Sequence, residues 1–337
     1  MPSLFVYVGL DYHEDSIRVS VIDQHGQILL DRDVANDVEL VQNWIGKCGL
    51  PQGIAIEACC GAAEFAEQLQ QRTGWPVRLA HPGYVKRLKQ GPDKSDHHDA
   101  WLLADLVRVG YLPQVWLADA LTRQFRRLVR YRQGLVAERK NIKLRIRALL
   151  REERVGCRHA KPWTIAWSEW LKVAPLGEQS RWVLGQELMR LARINEDIQA
   201  AEQRLETVLA SDGITQQLLA QPGIGLVTAA TLRAEIGRFD RFHSGKQLAR
   251  FCGVTPCNAS SGRREADAGL VKAGNSALRA VIIQTAQRLP RHEPRWKELK
   301  DRLRRTKPAN VATAAVANRW LRWLYHQLTS TAETAAV

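Results

Sequence analysis

The sequence predicts a chain of class α/β plus α, with a mixed α/β domain first, a long helical middle next and a mostly helical C-terminal domain last. Three observations carry this. Short β-rich runs alternate with helical stretches over residues 4–110. Apolar residues then recur on a seven-residue pattern from 121 to 154. From residue 215 onward, glycine-bearing turns separate amphipathic helices. The expected domains are residues 1–115, 116–212 and 213–330, and 337 residues suffice for two or three modest cores.

Within the first domain, residues 5–10 and Ser16–Ile22 are β-rich runs joined by a polar turn, and residues 27–34 make the third strand of a meander. Residues 38–47 read as a helix and 54–56 as a brief apolar strand ending at Glu57. A helix over 65–72, a strand at Val77–Ala80 and helices over 84–90 and 96–109 complete it. Three strands followed by alternating helix and strand is the order expected of a ribonuclease H-like fold.

The middle differs in character. Leu121, Phe125, Leu128, Leu135, Ile142, Ile146 and Leu149 fall on steps of three and four, with Arg132 and Arg139 in the two gaps. That spacing predicts a long helix with a coiled-coil-like seam. Residues 123–154 hold twelve Lys or Arg against three Glu, an excess of nine positive charges. A run of charge is often only a solvated face, but an excess of one sign suits phosphate contact equally well. Trp163, Trp167 and Trp170 stand at helical spacing and read as core or interface anchors rather than base-stacking platforms. Leu184, Leu188, Leu191, Ile198 and Leu205 form a second heptad-like helix, able to pair antiparallel with the first within one chain or between chains.

In the last domain, Gln221-Pro-Gly-Ile-Gly225 leads into a helix over 227–236. Residues 248–275, rich in Gly, Ser, Asn and Cys, read as loop, and helices follow at 276–289 and 311–328. The Pro222-Gly-Ile-Gly225 turn has the form of a helix-hairpin-helix element. Gly223 and Gly225 would let backbone N–H groups approach a phosphate, although a plain tight turn fits the four residues as well.

Composition narrows the function. A net charge of +14 and a pI near 9.8 favour a polyanionic partner, with nucleic acid ahead of an acidic membrane. No uncharged apolar run reaches eighteen residues, and the start lacks the pattern of a secretory signal, so a cytoplasmic protein without membrane partners is expected. The six cysteines form no CxxC pair and read as reduced thiols. His243 with Cys252 and Cys257 makes a poor zinc set. GxxxxGK[ST] is absent, which removes the usual support for an ATPase.

Four carboxylates suggest chemistry. Asp11 and Glu57 each directly follow a predicted strand, and neighbouring strands would bring both to one end of a sheet. Asp96 and Asp99 lie three apart at a helix start and share a face. Any one alone would serve as a cap or a solubilising charge. Together they could converge on one cleft, where like charges repel unless a cation is bound. Carboxylate oxygens suit Mg²⁺, with Mn²⁺ as an alternative, and two ions about 4 Å apart can serve phosphodiester cleavage.

At these residues a resemblance emerges. Val8-Gly-Leu-Asp11 and Lys94-Ser-Asp-His-His-Asp-Ala100 look like the N-terminal motifs of the IS110 family of transposases. The C-terminal likeness is more specific. It comprises Pro222-Gly-Ile-Gly225 with Thr228, Ala229 and Glu235-Ile-Gly237, then Phe251-Cys-Gly-Val-Thr-Pro256, Ser260-Ser-Gly262, Lys272-Ala-Gly-Asn275 and Leu278-Arg279. Both blocks occur in order, so the resemblance covers nearly the whole chain. Ser95 stands where the family commonly has Thr, and Leu270-Val271 where it often has Ile followed by Ser or Thr. The resemblance implies a RuvC-like first domain with a DEDD metal site at Asp11, Glu57, Asp96 and Asp99, Glu64 being the alternative to Glu57.

It also implies that a serine attacks DNA to form a covalent phosphoserine, which points to Ser261, with Ser260 as the alternative. A Ser-Ser-Gly sequence by itself is usually only a turn. Arg263 and Arg264 would hold the scissile phosphate, while Lys272, Asn275 and Arg279 would contact phosphate or order the loop. The expected partners are donor and target DNA, a structured guide RNA encoded by the element, and further copies of the chain in a dimer or tetramer. A structure-selective nuclease of the Holliday-junction type would need the four carboxylates and could ignore the serine.

Overall fold

The computed structural model describes residues 4–88, 96–258, 267–271 and 274–334; the side chains of Asp96, Asn258, Asp267, Ala268 and residues 330–334 lie outside that description. The chain divides into two compact units, Met1–Ala120 and Leu121–Val337.

The first unit is built on β1 (Phe5–Tyr12), β2 (Ser16–Ile22), β3 (Ile28–Ala35), β4 (Leu50–Glu57), β5 (Val77–Ala80) and β6 (Gln114–Val115). They form one sheet in the order β3-β2-β1-β4-β5-β6. β1, β4 and β5 run parallel, whereas β2, β3 and β6 are antiparallel to their neighbours. This is the meander followed by crossovers that the alternating runs suggest. Helices α1 (Val38–Cys48) and α2 (Ala62–Thr73) cover one face. Their Val41, Ile45, Phe65 and Leu69 pack on Val6, Val8, Leu10, Ile54 and Ile56. Asp37 starts α1 by accepting from the Leu40 N–H. Helices α3 (Pro82–Leu88) and α4 (Asp96–Arg108) belong to the other face, where Val85, Leu103 and Val107 join Ala55 and Ala80.

The second unit contains α5 (Ala120–Glu152), α6 (Ile165–Val173), α7 (Glu178–Leu209), α8 (Gly213–Leu219), α9 (Leu226–Ile236), α10 (Gly245–Phe251), β7 (Pro256–Asn258), β8 (Asp267–Leu270), α11 (Ser276–Arg288), α12 (Pro294–Arg304) and α13 (Ala309–Thr334). Helices α5 and α7 pair antiparallel within the chain. Arg132 bonds Glu202, Arg139 bonds Asn195 and Arg145 bonds Glu187, so the partners on α7 step backward as those on α5 step forward. Leu135, Ile142 and Ile146 of α5 meet Leu184, Ile194 and Ile198 of α7 in the core between them.

Helix α9 is buried from Thr228 to Ile236, including two charged residues. Arg233 is bound by Asp212 at 2.9 Å and Thr122 at 3.1 Å, and Glu235 by Arg130 at 2.8 Å, which is how a buried charge is tolerated. A core around Leu232, Leu248, Ile282, Trp296, Trp320 and Leu324 joins α8 and α9 to α10–α13.

The reading of residues 248–275 as loop needs correction. Helix α10 runs into that segment, and β7 and β8 pair antiparallel across it. These strands are only three and four residues long and sit in polar, glycine-rich sequence, so no period-2 apolar signal marks them. Among the described residues no helix is long and apolar enough to cross a membrane.

Candidate active site

Strand alternation fixes where the first two carboxylates point. In β1, Val6, Val8 and Leu10 face α1 and α2, so Tyr7, Gly9 and Asp11 face the other way. In β4, Ile54 and Ile56 face α1 and α2, which leaves Gly53, Ala55 and Glu57 opposite. Leu10 pairs with Ile56 in the parallel register, so Asp11 and Glu57 are the next positions across the same two strands, at their C-terminal ends. Their proximity registers chemically on the Cys59 thiol. Burial lifts its pKa most, the Ala62 N–H opposes this, and the charges of Glu57 and Asp11 add to the rise.

Helix α4 brings in the third carboxylate. It lies so close to the sheet that a Cβ on Gly9 would sit 1.8 Å from the Ala100 carbonyl oxygen, and one on Gly53 2.4 Å from Val107 Cγ1. Gly53 pairs with Tyr7, so contact moves from Val107 to Ala100 as β1 advances from residue 7 to residue 9. The helix therefore runs antiparallel to β1, with its first turn toward the strand ends that carry Asp11 and Glu57. Asp99, in that turn, is 8% exposed. Asp96 begins α4, and its side chain lies outside the described residues. Glu64 opens α2 instead and lines a cleft with Asp37, Glu39 and Arg72 on the opposite side of the sheet.

Three neighbours escaped the sequence reading. His13 Nε2 stands 3.3 Å from Asp11 Oδ2. Arg18 is the cross-strand neighbour of Asp11, and it grips Asp31 at 2.8 and 3.0 Å and Asp33 at 2.8 Å. His97, in the first turn of α4, pairs with the same Asp31. The available signal was Arg18, Asp31 and Asp33 standing at alternate positions in two adjacent β runs.

In the second unit, Gly223 takes φ +79 in the turn between α8 and α9, and Gly225 caps α9 without a side-chain bond. Asn275 caps α11 by accepting from Ala277 and Leu278 N–H groups at 2.9 and 3.2 Å. Arg279 donates to the Val271 carbonyl at 3.3 Å and packs beside Gly253. Arg241 lies over the rings of Phe242 and Phe251; burial first, then Arg126, lowers its pKa to about 10. Cys252 is buried in the core, where desolvation pushes its thiol up, so it is a packing residue. Ser260, Ser261, Arg263, Arg264 and Lys272 lie outside the described residues.

Comparison with known proteins settles the kinship. Residues 8–154 match a family described as a transposase, the DEDD type of IS110, and residues 215–301 match the Transposase IS116/IS110/IS902 family. The chain belongs to the IS110 family of transposases. It is 29% identical to a probable family 20 transposase of Pseudomonas aeruginosa over 94% of this chain and 95% of that one. It is also 29% identical to the transposase for insertion sequence element IS1111A of Coxiella burnetii, over 85% and 78% of the two chains. The transposase for IS1328 of Yersinia enterocolitica is 28% identical over 96% of each. A transposase acts on DNA by cutting and rejoining it, and the DEDD domain implies a RuvC-like fold and dependence on a divalent metal.

The transposase's own residues bear on that metal in two ways. Asp11, Glu57 and Asp99 offer only hard oxygen donors, the set that suits Mg²⁺ or Mn²⁺ and not a thiophilic ion. Among the described residues, however, no group of three or more His, Cys, Asp or Glu stands close enough to hold an ion. The donor chemistry fits, and the side chain of Asp96 falls outside that set.

Proposed function

We propose that this transposase cleaves and exchanges DNA strands during insertion and excision of a mobile element, guided by a structured RNA that the element encodes. Asp11, Glu57, Asp96 and Asp99 would hold Mg²⁺, or Mn²⁺ in its place. The observation that carries this is the tight seating of α4 on Gly9, which turns the start of that helix toward the strand ends bearing Asp11 and Glu57. Bound there, the ion would neutralise charge on the scissile phosphate.

Ser261, with Ser260 as the alternative, would attack the phosphorus through Oγ. The serine proton passes to a base, a P–O bond to the deoxyribose breaks, and the freed oxygen leaves as a hydroxyl. Attack by the hydroxyl of another strand on the phosphoserine then restores a diester and releases the serine. Arg263, Arg264 and Lys272 would hold the phosphate. The turn at Gly223 and Gly225 would fix backbone position as a helix-hairpin-helix does, and Asn275 and Arg279 keep the loop in order through their bonds to α11 and Val271. The α5–α7 pair would act as a coiled coil in a dimer or tetramer.

Trapping tests this. Protein, Mg²⁺, element RNA and donor and target DNA are mixed and run on a denaturing gel, comparing wild type with Ser261→Ala, Ser260→Ala and Asp11→Ala. A protein–DNA adduct lost in one serine variant and in Asp11→Ala is the expected result. Cleavage without an adduct, unaffected by either serine change, would instead favour metal-dependent hydrolysis of a structured DNA, which the carboxylates could perform unaided.

A further inference from the structure

The positive charge of α5 is divided between cations held by carboxylates and cations that are not. Arg130, Arg132 and Arg145 are neutralised by Glu235, Glu202 and Glu187 at 2.8, 2.6 and 2.9 Å. Lys140, Lys143 and Arg147 share one face at steps of three and four, and Arg139, whose guanidinium donates to Asn195 Oδ1 at 3.2 Å, borders it; among the described residues none of the four is ion-paired with a carboxylate. With Val136, Leu144 and Trp163 these four line a groove of about 320 Å³.

Trp163 is unlike its neighbours. Trp167 is 4% exposed and anchors the core between α5 and α7, as its helical spacing suggests. Trp163 is half-buried at the groove edge, its ring 4.6 Å from that of Trp167 and covered by Lys143 Nζ at 4.8 Å. Its backbone takes φ +71, a conformation that bulky L-residues rarely adopt. Strain of that kind clusters at sites that bind or act. A flexible lysine is the easiest cover to displace from an indole face, because the ammonium can move onto a phosphate as it leaves.

We propose that this groove is a single-stranded nucleic-acid subsite, in which a base stacks on Trp163 in place of Lys143 and the flanking phosphates run along Arg139, Lys140, Lys143 and Arg147. A π face under a displaceable lysine, beside cations that no carboxylate neutralises, is a combination that suits unpaired strands, whereas a duplex keeps its bases stacked on each other. The inference rests on the chain being a nucleic-acid enzyme and concerns a site formed without Asp11, Glu57 or Ser261.

The test is binding of the full chain to short fluorescent oligonucleotides of one sequence, as single-stranded RNA, single-stranded DNA and duplex DNA. Trp163→Ala should weaken single-strand binding roughly tenfold and duplex binding far less, while Trp163→Phe, which keeps an aromatic ring against Trp167, should lose less. Replacing Lys140 and Lys143 together by Ala should flatten the dependence of log K on log salt for single strands by about 1.4. An oligonucleotide carrying 5-iodouracil should photocrosslink at Trp163. Tighter RNA binding would assign the groove to a guide RNA, and tighter DNA binding to a displaced strand.

Single-strand affinity within about twofold of wild type in both tryptophan variants would overturn the proposal. So would lysine variants that change only the sedimentation mass, since the groove would then be an interface between copies. If the unchanged chain bound no oligonucleotide, this inference and the transposase mechanism would fall together. Adduct formation with indifferent groove variants would sink the groove alone.

Discussion

Gly9 shows how one missing side chain sets the position of a functional one. A Cβ there would meet backbone atoms of α4, with the Ala100 carbonyl oxygen at 1.8 Å and the Ala104 nitrogen at 2.6 Å. Backbone cannot swing aside as a long side chain can, so the whole helix must move. Gly9→Ala should therefore destabilise the first unit by about 3 kcal/mol, at the upper end of overpacking costs. Because Asp99 rides on the displaced turn, Mn²⁺ affinity and DNA cleavage should fall with it. Denaturant unfolding together with Mn²⁺ titration checks this, and an unchanged midpoint would refute the close seating. The strand positions of Asp11 and Glu57 were legible because each acid directly follows a short apolar run, which can be read without knowing the partner. The reason for Gly9 was not, since it lies in α4, ninety residues further along the chain. The Arg18–Asp31–His97 contacts were hidden for the same reason, as three elements must be assembled before the residues meet.

At the scale of elements, the α5–α7 pair combines an apolar seam with ion pairs whose energies depend on pH. Arg145 grips Glu187 with two bonds at 3.1 and 2.9 Å, and Arg190 adds a third at 2.9 Å. The Arg145 bond, foremost, holds the Glu187 carboxyl below its ordinary value of 4.5. The folded state thus binds that proton less readily than the unfolded chain does. The stabilisation is fully present above 4.5 and is lost as pH falls through the lower, folded value. Arg145 is half exposed, so solvent screening limits the effect, and Glu187→Gln should cost about 1 kcal/mol near neutral pH. Urea unfolding of both proteins should show the gap closing in acid below 4.5; a gap independent of pH would mean that shape, not charge, is at work.

The long helices were legible because thirty residues of heptad pattern outweigh local noise. Helix α12 was missed although Pro294 at its first turn and the Trp296, Leu299 and Leu303 spacing offered a signal. The two-residue β6 offers none, since pairing at the sheet edge alone creates it.

Across the whole molecule, charge is sorted between the two units. Residues 1–120 hold ten Lys and Arg against sixteen Asp and Glu, a net −6, while residues 121–337 hold thirty-nine against nineteen, a net +20. The acidic unit carries the proposed metal ligands and would by itself repel a phosphate backbone; the basic unit supplies the counter-charge that attracts one. Capture and chemistry should therefore separate. Affinity at long range comes from displacing counterions with the cations of the second unit, so its salt dependence should not need the metal. Bond cleavage should need it, because the carboxylates alone place negative charge beside a negative phosphate. Chelation should thus reduce cleavage at least about a hundredfold. Affinity for DNA should change by less than about threefold, with the slope of log K against log salt unaltered. Measuring both on one preparation with and without chelator decides the matter. If chelation instead flattened the slope and abolished binding, the metal would be a bridge that holds DNA on the acidic unit, and the basic unit would have to answer to a different polyanion, with RNA the first to try.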